Sequence, residues 1–161
     1  MILGMEPLIF IHTLISLIGI GAGLIVALGL LSSQRLPGWT ALFLLTTALT
    51  SVTGFFLPAD HLKPSHVVGV ISLVVLAAAS YALYTRNLAG PWRWIYVAAA
   101  VLAFYFNVFV LVAQAFLKIQ PLKELAPTGS EPPFAISQGV VLIVFIALGV
   151  LATMRFRPGA P

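Results

Sequence analysis

Apolar residues along this chain fall into five long runs that contain no Asp, Glu, Lys or Arg. Each run is close to the roughly 20 residues that an α-helix needs to cross the hydrocarbon core of a bilayer. The pattern therefore predicts an all-α, polytopic membrane helix bundle with five transmembrane helices. The predicted helices are Leu8–Leu31, Gly38–Leu57, His66–Tyr84, Trp94–Leu117 and Phe134–Met154.

The breaks between the runs carry the residues that end helices. Leu36–Gly38 separates the first two runs, Pro58–Pro64 the next two, and Asn87–Trp92 the third from the fourth. The longest break, the loop 118–133, contains four prolines. No internal repeat is present, so we interpret residues 1–161 as a single transmembrane domain.

Composition supports lipid as the solvent for most of these side chains. Hydrophobic residues make up 61% of the 161 residues and charged residues only 7%, whereas a typical soluble domain is about 25% charged. The net charge of +4 does not indicate a nucleic-acid partner, because the basic residues are scattered singly between apolar runs. The chain has no cysteine, which excludes disulfides, thiolate metal sites and cysteine nucleophiles.

The charged residues sort onto two sides when the five runs are threaded through a membrane. One side receives every arginine and no carboxylate: Arg35, Arg86, Arg93, Arg155 and Arg157. The other receives every carboxylate and every lysine: Glu6, Asp60, Glu124, Glu131, Lys63, Lys118 and Lys123. The positive-inside rule then predicts a cytoplasmic arginine side, with the N-terminus outside and the C-terminus inside. Removing one span would mix the two sets, so the sorting favours five spans over four.

Polar residues within the predicted helices gather in the half of the bundle that faces outward. This predicted polar layer consists of His12, Ser16, Thr50, Thr53, His66, Asn107, Gln114 and Gln138, with Ser137 beside the last of them. Two interpretations compete. The side chains could hydrogen-bond between helices and hold the bundle together, or they could line an outward-facing pocket for a small molecule, a quinone or a haem.

Two histidines make a redox cofactor worth testing. His12 lies about one turn inside the first predicted helix and His66 in the first turn of the third, so both are near the outer boundary and a shared site is geometrically possible. Haem b between two membrane helices needs two neutral imidazoles at matching depth. His61 lies in a loop beside Asp60, and its spacing matches no standard metal site. No catalytic constellation is present and no carboxylate lies within a span, so the sequence predicts neither catalytic residues nor a metal site.

Several stretches resemble those of short multi-pass inner-membrane proteins from proteobacteria that have no assigned function. They are Thr50–Pro58, Pro64–Leu73, Tyr105–Val110 with Gln114, and Ala126–Phe134. The resemblance implies a bacterial cytoplasmic membrane, and it transfers no site.

A second resemblance concerns two helix ends. Thr53-Gly54, which ends one run, and His66 with Gly69, which begin the next, resemble the arrangement in cytochrome b561-like membrane domains. That likeness implies haem b.

The predicted function is therefore that of a small binding or accessory membrane protein, more naturally a non-enzyme than an enzyme. The alternative is a haem- or quinone-linked redox protein that uses His12 and His66, and a small oligomeric channel or transporter ranks third. The lipid bilayer is one partner. A membrane partner protein or a second copy of the chain is another, because Gly19, Gly21 and Gly23 permit close helix approach. The same glycines could instead serve packing within one chain.

The proline-rich loop 118–133 yields one further expectation. Because Glu131-Pro-Pro-Phe134 lies just before the last run, we expect the segment to fold over the polar layer as a cap that touches His12 or His66.

Overall fold

The computed structural model describes residue 2 and residues 4–159, and it is all-helical, as predicted. Helix accounts for 78% of the structure, and no strand occurs among the described residues. The helices are α1 (Pro7–Leu31), α2 (Pro37–Gly54), α3 (Pro64–Ser80), α4 (Trp92–Lys118), α5 (Gln120–Leu125) and α6 (Pro132–Arg155). A π-helical turn, Tyr81–Thr85, continues α3, so that its whole helical length is 22 residues. The short α5 lies within the loop that the sequence predicts as irregular.

Proline sets the start of four of the five long helices. Pro7, Pro37, Pro64 and Pro132 each occupy the first helical position of α1, α2, α3 and α6. The ring fixes φ near its helical value, and the missing N–H is one that no helical carbonyl would have bonded. The predicted starts are accordingly one or two residues late.

Four of the five predicted spans are long and apolar enough to cross a membrane: α1, α3 with its π-helical turn, α4 and α6. These four helices fit an integral membrane protein. The remaining predicted span, Gly38–Leu57, forms α2. This helix is not among the four, and it ends at Gly54, three residues before the predicted Leu57. The reason is its composition, because six of its 18 residues are serine or threonine.

Successive long helices run antiparallel to one another. Along α1 and α2, His12 pairs with Thr53, Gly19 faces Thr46, and Gly23 faces Phe43, so the numbering rises on one helix as it falls on the other. The α2–α3 and α4–α6 pairs behave alike: Phe55 stacks on His66, and Phe116 packs on Phe134. Five helices with alternating direction therefore form the bundle.

This alternation gives the bundle two chemically distinct ends. We call the end that carries the five arginines the arginine end, and the end that carries Glu6, Asp60, Glu124 and Glu131 the acidic end. Glu6 and Glu131 occupy the N-cap positions of α1 and α6, and Arg155 lies in the last turn of α6. Each charge thus lies at the helix end whose dipole has the opposite sign.

Two glycines let α1 approach its neighbours closely. A Cβ atom on Gly19 would lie 3.1 Å from Thr46 Oγ1, and one on Gly23 would lie 2.7 Å from the Phe104 ring and 3.1 Å from the Phe43 ring. Gly21, between them, would place its Cβ in open space. Gly19 and Gly23 therefore serve packing within the chain, which is one of the two roles that the sequence left open.

The helix α6 is the least covered of the four apolar helices. Only 11% of its most apolar stretch is buried, against 39% for α1 and for α4. Its main neighbour is α4, and Arg93 of α4 bonds to its end. Arg93 Nη1 donates hydrogen bonds to the carbonyl oxygens of Thr153 at 2.9 Å and Phe156 at 2.7 Å. Those carbonyls belong to the end of the helix, where no backbone N–H is left to bond them.

Candidate functional site

The residues of the predicted polar layer all lie in the half of the bundle nearer the acidic end or at its middle. His12 is near the start of α1, Thr53 near the end of α2, His66 near the start of α3, and Gln138 near the start of α6. They do not form one cavity, because neither of the two described cavities is lined by any of the eight predicted residues. Their hydrogen bonds show how each side chain is used.

His12 joins α1 to α2. Its Nδ1 atom lies 2.8 Å from Thr53 Oγ1, and the Thr53 hydroxyl donates its own proton to the carbonyl oxygen of Leu49 at 2.7 Å. Because the Thr53 hydroxyl proton is already donated to Leu49, Thr53 Oγ1 accepts the hydrogen bond from His12, and Nδ1 of His12 must carry a hydrogen. The neutral ring then keeps a lone pair on Nε2. Ser16 packs one turn away and donates to the His12 carbonyl at 2.6 Å.

His66 is used differently, at the start of α3. Its Nδ1 atom accepts a hydrogen bond of 2.9 Å from the backbone N–H of Lys63, and its ring stacks on Phe55 at a centroid distance of 5.8 Å. Because Nδ1 accepts, the neutral ring carries its hydrogen on Nε2. The two histidines therefore hold opposite tautomers, and only His12 presents a ring nitrogen ready to act as a ligand.

The pair as placed does not supply the two free imidazole nitrogens that haem ligation requires. His66 would have to give up the bond to Lys63 before Nδ1 could bind iron. Haem b stays a prediction of the sequence.

The other members of the polar layer serve helix contacts or bond within their own helix. Asn107 Nδ2 donates to Thr47 Oγ1 at 3.0 Å and joins α4 to α2, and Gln138 Nε2 donates to the Phe109 carbonyl at 3.0 Å and joins α6 to α4. Thr50 bonds back to the Thr46 carbonyl in its own helix. Among the described residues, Gln114 makes no side-chain hydrogen bond. These contacts fit the packing interpretation of the layer, and the outward-facing pocket stays a prediction.

The segment that connects α4 and α6 bonds to itself. Gln120 donates to Glu124 across one turn of α5, and the Thr128 hydroxyl and backbone N–H both donate to Glu131 Oε1, at 2.7 and 3.1 Å. Within the described residues, its side chains form no hydrogen bond to His12 or His66, so the expected cap over the polar layer gains no support. The hydrogen bond from the Thr128 side chain lowers the pKa of Glu131 below its ordinary value.

An apolar groove between α4 and α6 is the largest described cavity. Its volume is about 590 Å³, which lies in the range of small-molecule sites. It is open along its length toward the surface of the bundle. Its walls are apolar apart from a tyrosine and a threonine: Ala98, Val101, Leu102, Tyr105, Leu142, Phe145, Ile146, Gly149, Val150, Thr153 and Met154.

The groove lies in the arginine-end half, and two guanidinium groups lie at its end. Arg93 donates to the carbonyl of Thr153, and Arg157 Nε donates to the carbonyl of Met154 at 3.4 Å. Thr153 and Met154 are both groove-lining residues. Trp94, half exposed, lies one helical turn from Ala98 on the same face of α4. The groove therefore has apolar walls and, at its arginine end, two guanidinium groups and an exposed tryptophan, which we call the mouth of the groove.

No polar pattern in the sequence indicates this groove. Small residues, Ala98 and Gly149, line it on two facing helices. Small side chains at lipid-facing positions were the available signal, but only the pairing of α4 with α6 brings them together. The capping role of Arg93 was equally hidden, because it depends on where α6 ends.

Comparison with known proteins adds no relative to this picture, because no family model, no curated protein and no solved structure matches the chain.

Proposed function

We propose that this chain is a small, non-catalytic binding protein of the bacterial cytoplasmic membrane, which crosses the bilayer five times. Its N-terminus lies outside and its arginine end faces the cytoplasm. Its binding surface is the α4–α6 groove, which takes an apolar molecule from the surrounding lipid. The single observation that carries the proposal is a groove of about 590 Å³ that opens on the lipid-facing side of the least covered helix.

The five crossings are supported by the direction of α2. Because α2 runs antiparallel to α1 from Thr53 beside His12 to Phe43 beside Gly23, it covers most of the depth that α1 covers. Its 18 residues span about 27 Å, close to the roughly 30 Å of the hydrocarbon core. Its most polar face is not presented to lipid, since Thr40, Thr46 and Thr47 are buried. The arginine side is assigned to the cytoplasm by the positive-inside rule.

A binding role is favoured over a channel because the arginine-end half of the core is mostly apolar, with isolated polar side chains such as Thr40 and Tyr96 buried in it. Val26, Leu30 and Val97 are buried there, and a permeation path for ions would need polar groups along its whole length. A binding role is also favoured over catalysis. Within the described residues no group of three or more His, Cys, Asp or Glu could hold a metal ion, and the polar layer is engaged in helix contacts.

The test compares two variants that carry the same substitution at two lipid-exposed alanines. Ala98→Phe places a ring in the groove, whereas Ala77→Phe places one on the exposed face of α3, away from the groove. Native mass spectrometry of protein extracted in mild detergent should show one retained lipid-soluble molecule in the wild type and in Ala77→Phe, and none in Ala98→Phe. Equal retention in Ala98→Phe would show that the groove is not the binding surface.

A redox role for His12 is the second candidate, and the free Nε2 atom of its ring is the observation that favours it. A visible absorption spectrum of the purified protein tests it. A Soret band that disappears in His12→Ala would replace the proposed function, and a featureless spectrum would remove the redox alternative.

A further inference from the structure

The charged groups at the arginine end of the groove identify its ligand more closely. We infer that the α4–α6 groove holds one acyl chain of an anionic phospholipid, whose phosphate is bound by Arg93 and Arg157. This inference rests on the proposed function, because it names the ligand of the same groove. Three features of the structure carry it: the length of the groove, the position of the two guanidinium groups, and the absence of carboxylates near them.

The length of the groove matches one leaflet of a bilayer. Its wall on α6 runs from Leu142 to Met154, and at 1.5 Å per residue this distance is about 18 Å. Half of a hydrocarbon core of about 30 Å is about 15 Å. A chain that lies in the groove thus has its headgroup at the arginine end and its methyl terminus near the middle of the bundle.

The apolar walls alone cannot select a lipid. A chain that moves from the bilayer into the groove exchanges one apolar environment for another, so the transfer has no hydrophobic driving force. Selection has to come from the headgroup. An arginine near the membrane surface strengthens the attraction for an anionic lipid by roughly fivefold, which is about 1 kcal/mol.

Arg93 is held in position before a lipid arrives. Its Nη1 atom bonds two carbonyl oxygens at the end of α6, which leaves the other N–H groups of the guanidinium for an anion. Arg157 is exposed and touches the Met154 carbonyl through Nε alone. One guanidinium group can donate two parallel hydrogen bonds to two phosphate oxygens. A side chain that is already fixed loses less conformational entropy on binding.

No acidic side chain competes for these arginines. The four carboxylates of the chain, Glu6, Asp60, Glu124 and Glu131, all lie at the acidic end, on the far side of the predicted bilayer. A phosphate at the mouth of the groove therefore meets positive charge without a repelling acidic side chain. A neutral zwitterionic headgroup would gain less, because its own cation faces the same arginines.

The test uses Trp94 as a reporter at the mouth of the groove. Trp39 and Trp92 are the other tryptophans and are replaced by Phe, so that the fluorescence comes from Trp94 alone. The full-length protein is placed in phosphatidylcholine vesicles. Either phosphatidylglycerol or phosphatidylcholine, brominated on the acyl chain near the headgroup, is then added in increasing proportion. Bromine quenches tryptophan on contact, so the quenching reports brominated lipid at the mouth of the groove, one helical turn from Ala98.

We expect the anionic lipid to quench Trp94 at a mole fraction at least tenfold lower than the zwitterionic lipid. Arg157→Gln should reduce this preference by roughly fivefold. Arg157 makes only one weak side-chain contact, so the variant should fold normally. Arg35→Gln removes the same charge from the same end but from the α1–α2 connection, and should leave most of the preference intact.

Three results would overturn the inference, and they differ from a failure of the proposed function. Equal quenching by both headgroups would mean that the groove holds lipid without selecting it. Equal loss in Arg35→Gln and Arg157→Gln would mean that the whole arginine end, not this site, attracts anions. Failure of both lipids to quench would mean that another protein surface, such as a second copy, covers the groove. The proposed function itself fails if Ala98→Phe leaves the quenching by both lipids unchanged.

Discussion

The helices α2 and α6 occupy the same bundle but obtain their stability in opposite ways. Five of the 18 residues of α2 are buried, and three of these are threonines, whereas α6 buries only Gln138 and Ala152 among 24 residues. Yet α6 is apolar enough to be identified as a membrane span, and α2 is not. Hydropathy reports what a whole helix contains, but lipid meets only the exposed face. A helix that turns its polar face to its neighbours can therefore cross a membrane with fewer apolar residues.

The two helices also differ in whether their surroundings leave space for a ligand. Around α2, glycines of α1 pack closely against Thr46 and Phe43, and the polar layer there contributes two hydrogen bonds between helices, His12 with Thr53 and Asn107 with Thr47, besides bonds within single helices. Beside α6, small residues leave an open groove. His12 and Asn107 thus take part in contacts between helices, and the groove beside α6 is lined almost entirely by apolar side chains.

The largest effect should follow from disturbing the contact of α1 with α2 and α4. In Gly23→Leu the new side chain meets the rings of Phe104 and Phe43, so we expect a loss of about 1–3 kcal/mol in the free energy of unfolding. Gly21→Leu, two residues away, is the matched control, because its side chain enters open space. Unfolding in mixed detergent micelles, followed by circular dichroism, measures both. Equal stability of the two variants would contradict the described packing of α1.

The last turns of α6 should depend on Arg93, because few residues of this helix are buried. In Arg93→Gln the carbonyls of Thr153 and Phe156 lose a charged donor, and we expect a cost of about 1–2 kcal/mol. Arg155→Gln removes a charge from the last turn of α6 itself and should cost less. Protection of the last turns of α6 in hydrogen exchange is the measurement. Unchanged protection in Arg93→Gln would show that the arginine does not secure this helix.

A smaller effect should appear at the hydrogen bond between α4 and α2. The bond from Asn107 to Thr47 is buried at its Thr47 end, and such bonds between membrane helices average about 0.6 kcal/mol. A double-mutant cycle of Asn107→Leu and Thr47→Val, measured by unfolding in micelles, should give a coupling energy of that size. Strictly additive effects would mean that the two side chains do not interact.

The smallest effect concerns pH at the start of α6. The Thr128 side chain lowers the pKa of Glu131, so the turn gains stability above the ordinary value of 4.5 and loses it as pH falls through the lowered pKa. In Thr128→Val the pKa of Glu131 should move up toward its ordinary value. An NMR titration of the Glu131 carboxyl carbon measures the shift, with Glu124 in the same spectrum as reference. A downward shift or none would contradict the described hydrogen bond.

The sequence predicted the elements well because the forces that define them are local. Apolar length fixed the helices to within a few residues, and arginine and carboxylate positions separated the two ends. Its largest error in length, at the end of α2, arose because Phe55 and Phe56 are apolar yet follow the turn at Gly54. The sequence could name the polar residues of the candidate site but not their partners, because which hydroxyl bonds which carbonyl depends on the pairing of distant helices, and the pocket stays a prediction. Nothing local distinguishes Asn107, which finds Thr47, from Gln114, which finds no partner among the described residues.

The most direct test of the account asks whether α2 crosses the membrane. The chain has no cysteine, so single cysteines at Gln34, Asp60, Ala89 and Thr128 give clean reporters in the four connections between long helices. They are labelled in intact cells with a maleimide that cannot cross the membrane. We expect Asp60→Cys and Thr128→Cys to react from outside, whereas Gln34→Cys and Ala89→Cys should react only after the cells are opened. Labelling of Gln34→Cys and Asp60→Cys from the same side would show that α2 does not cross, and would contradict the account.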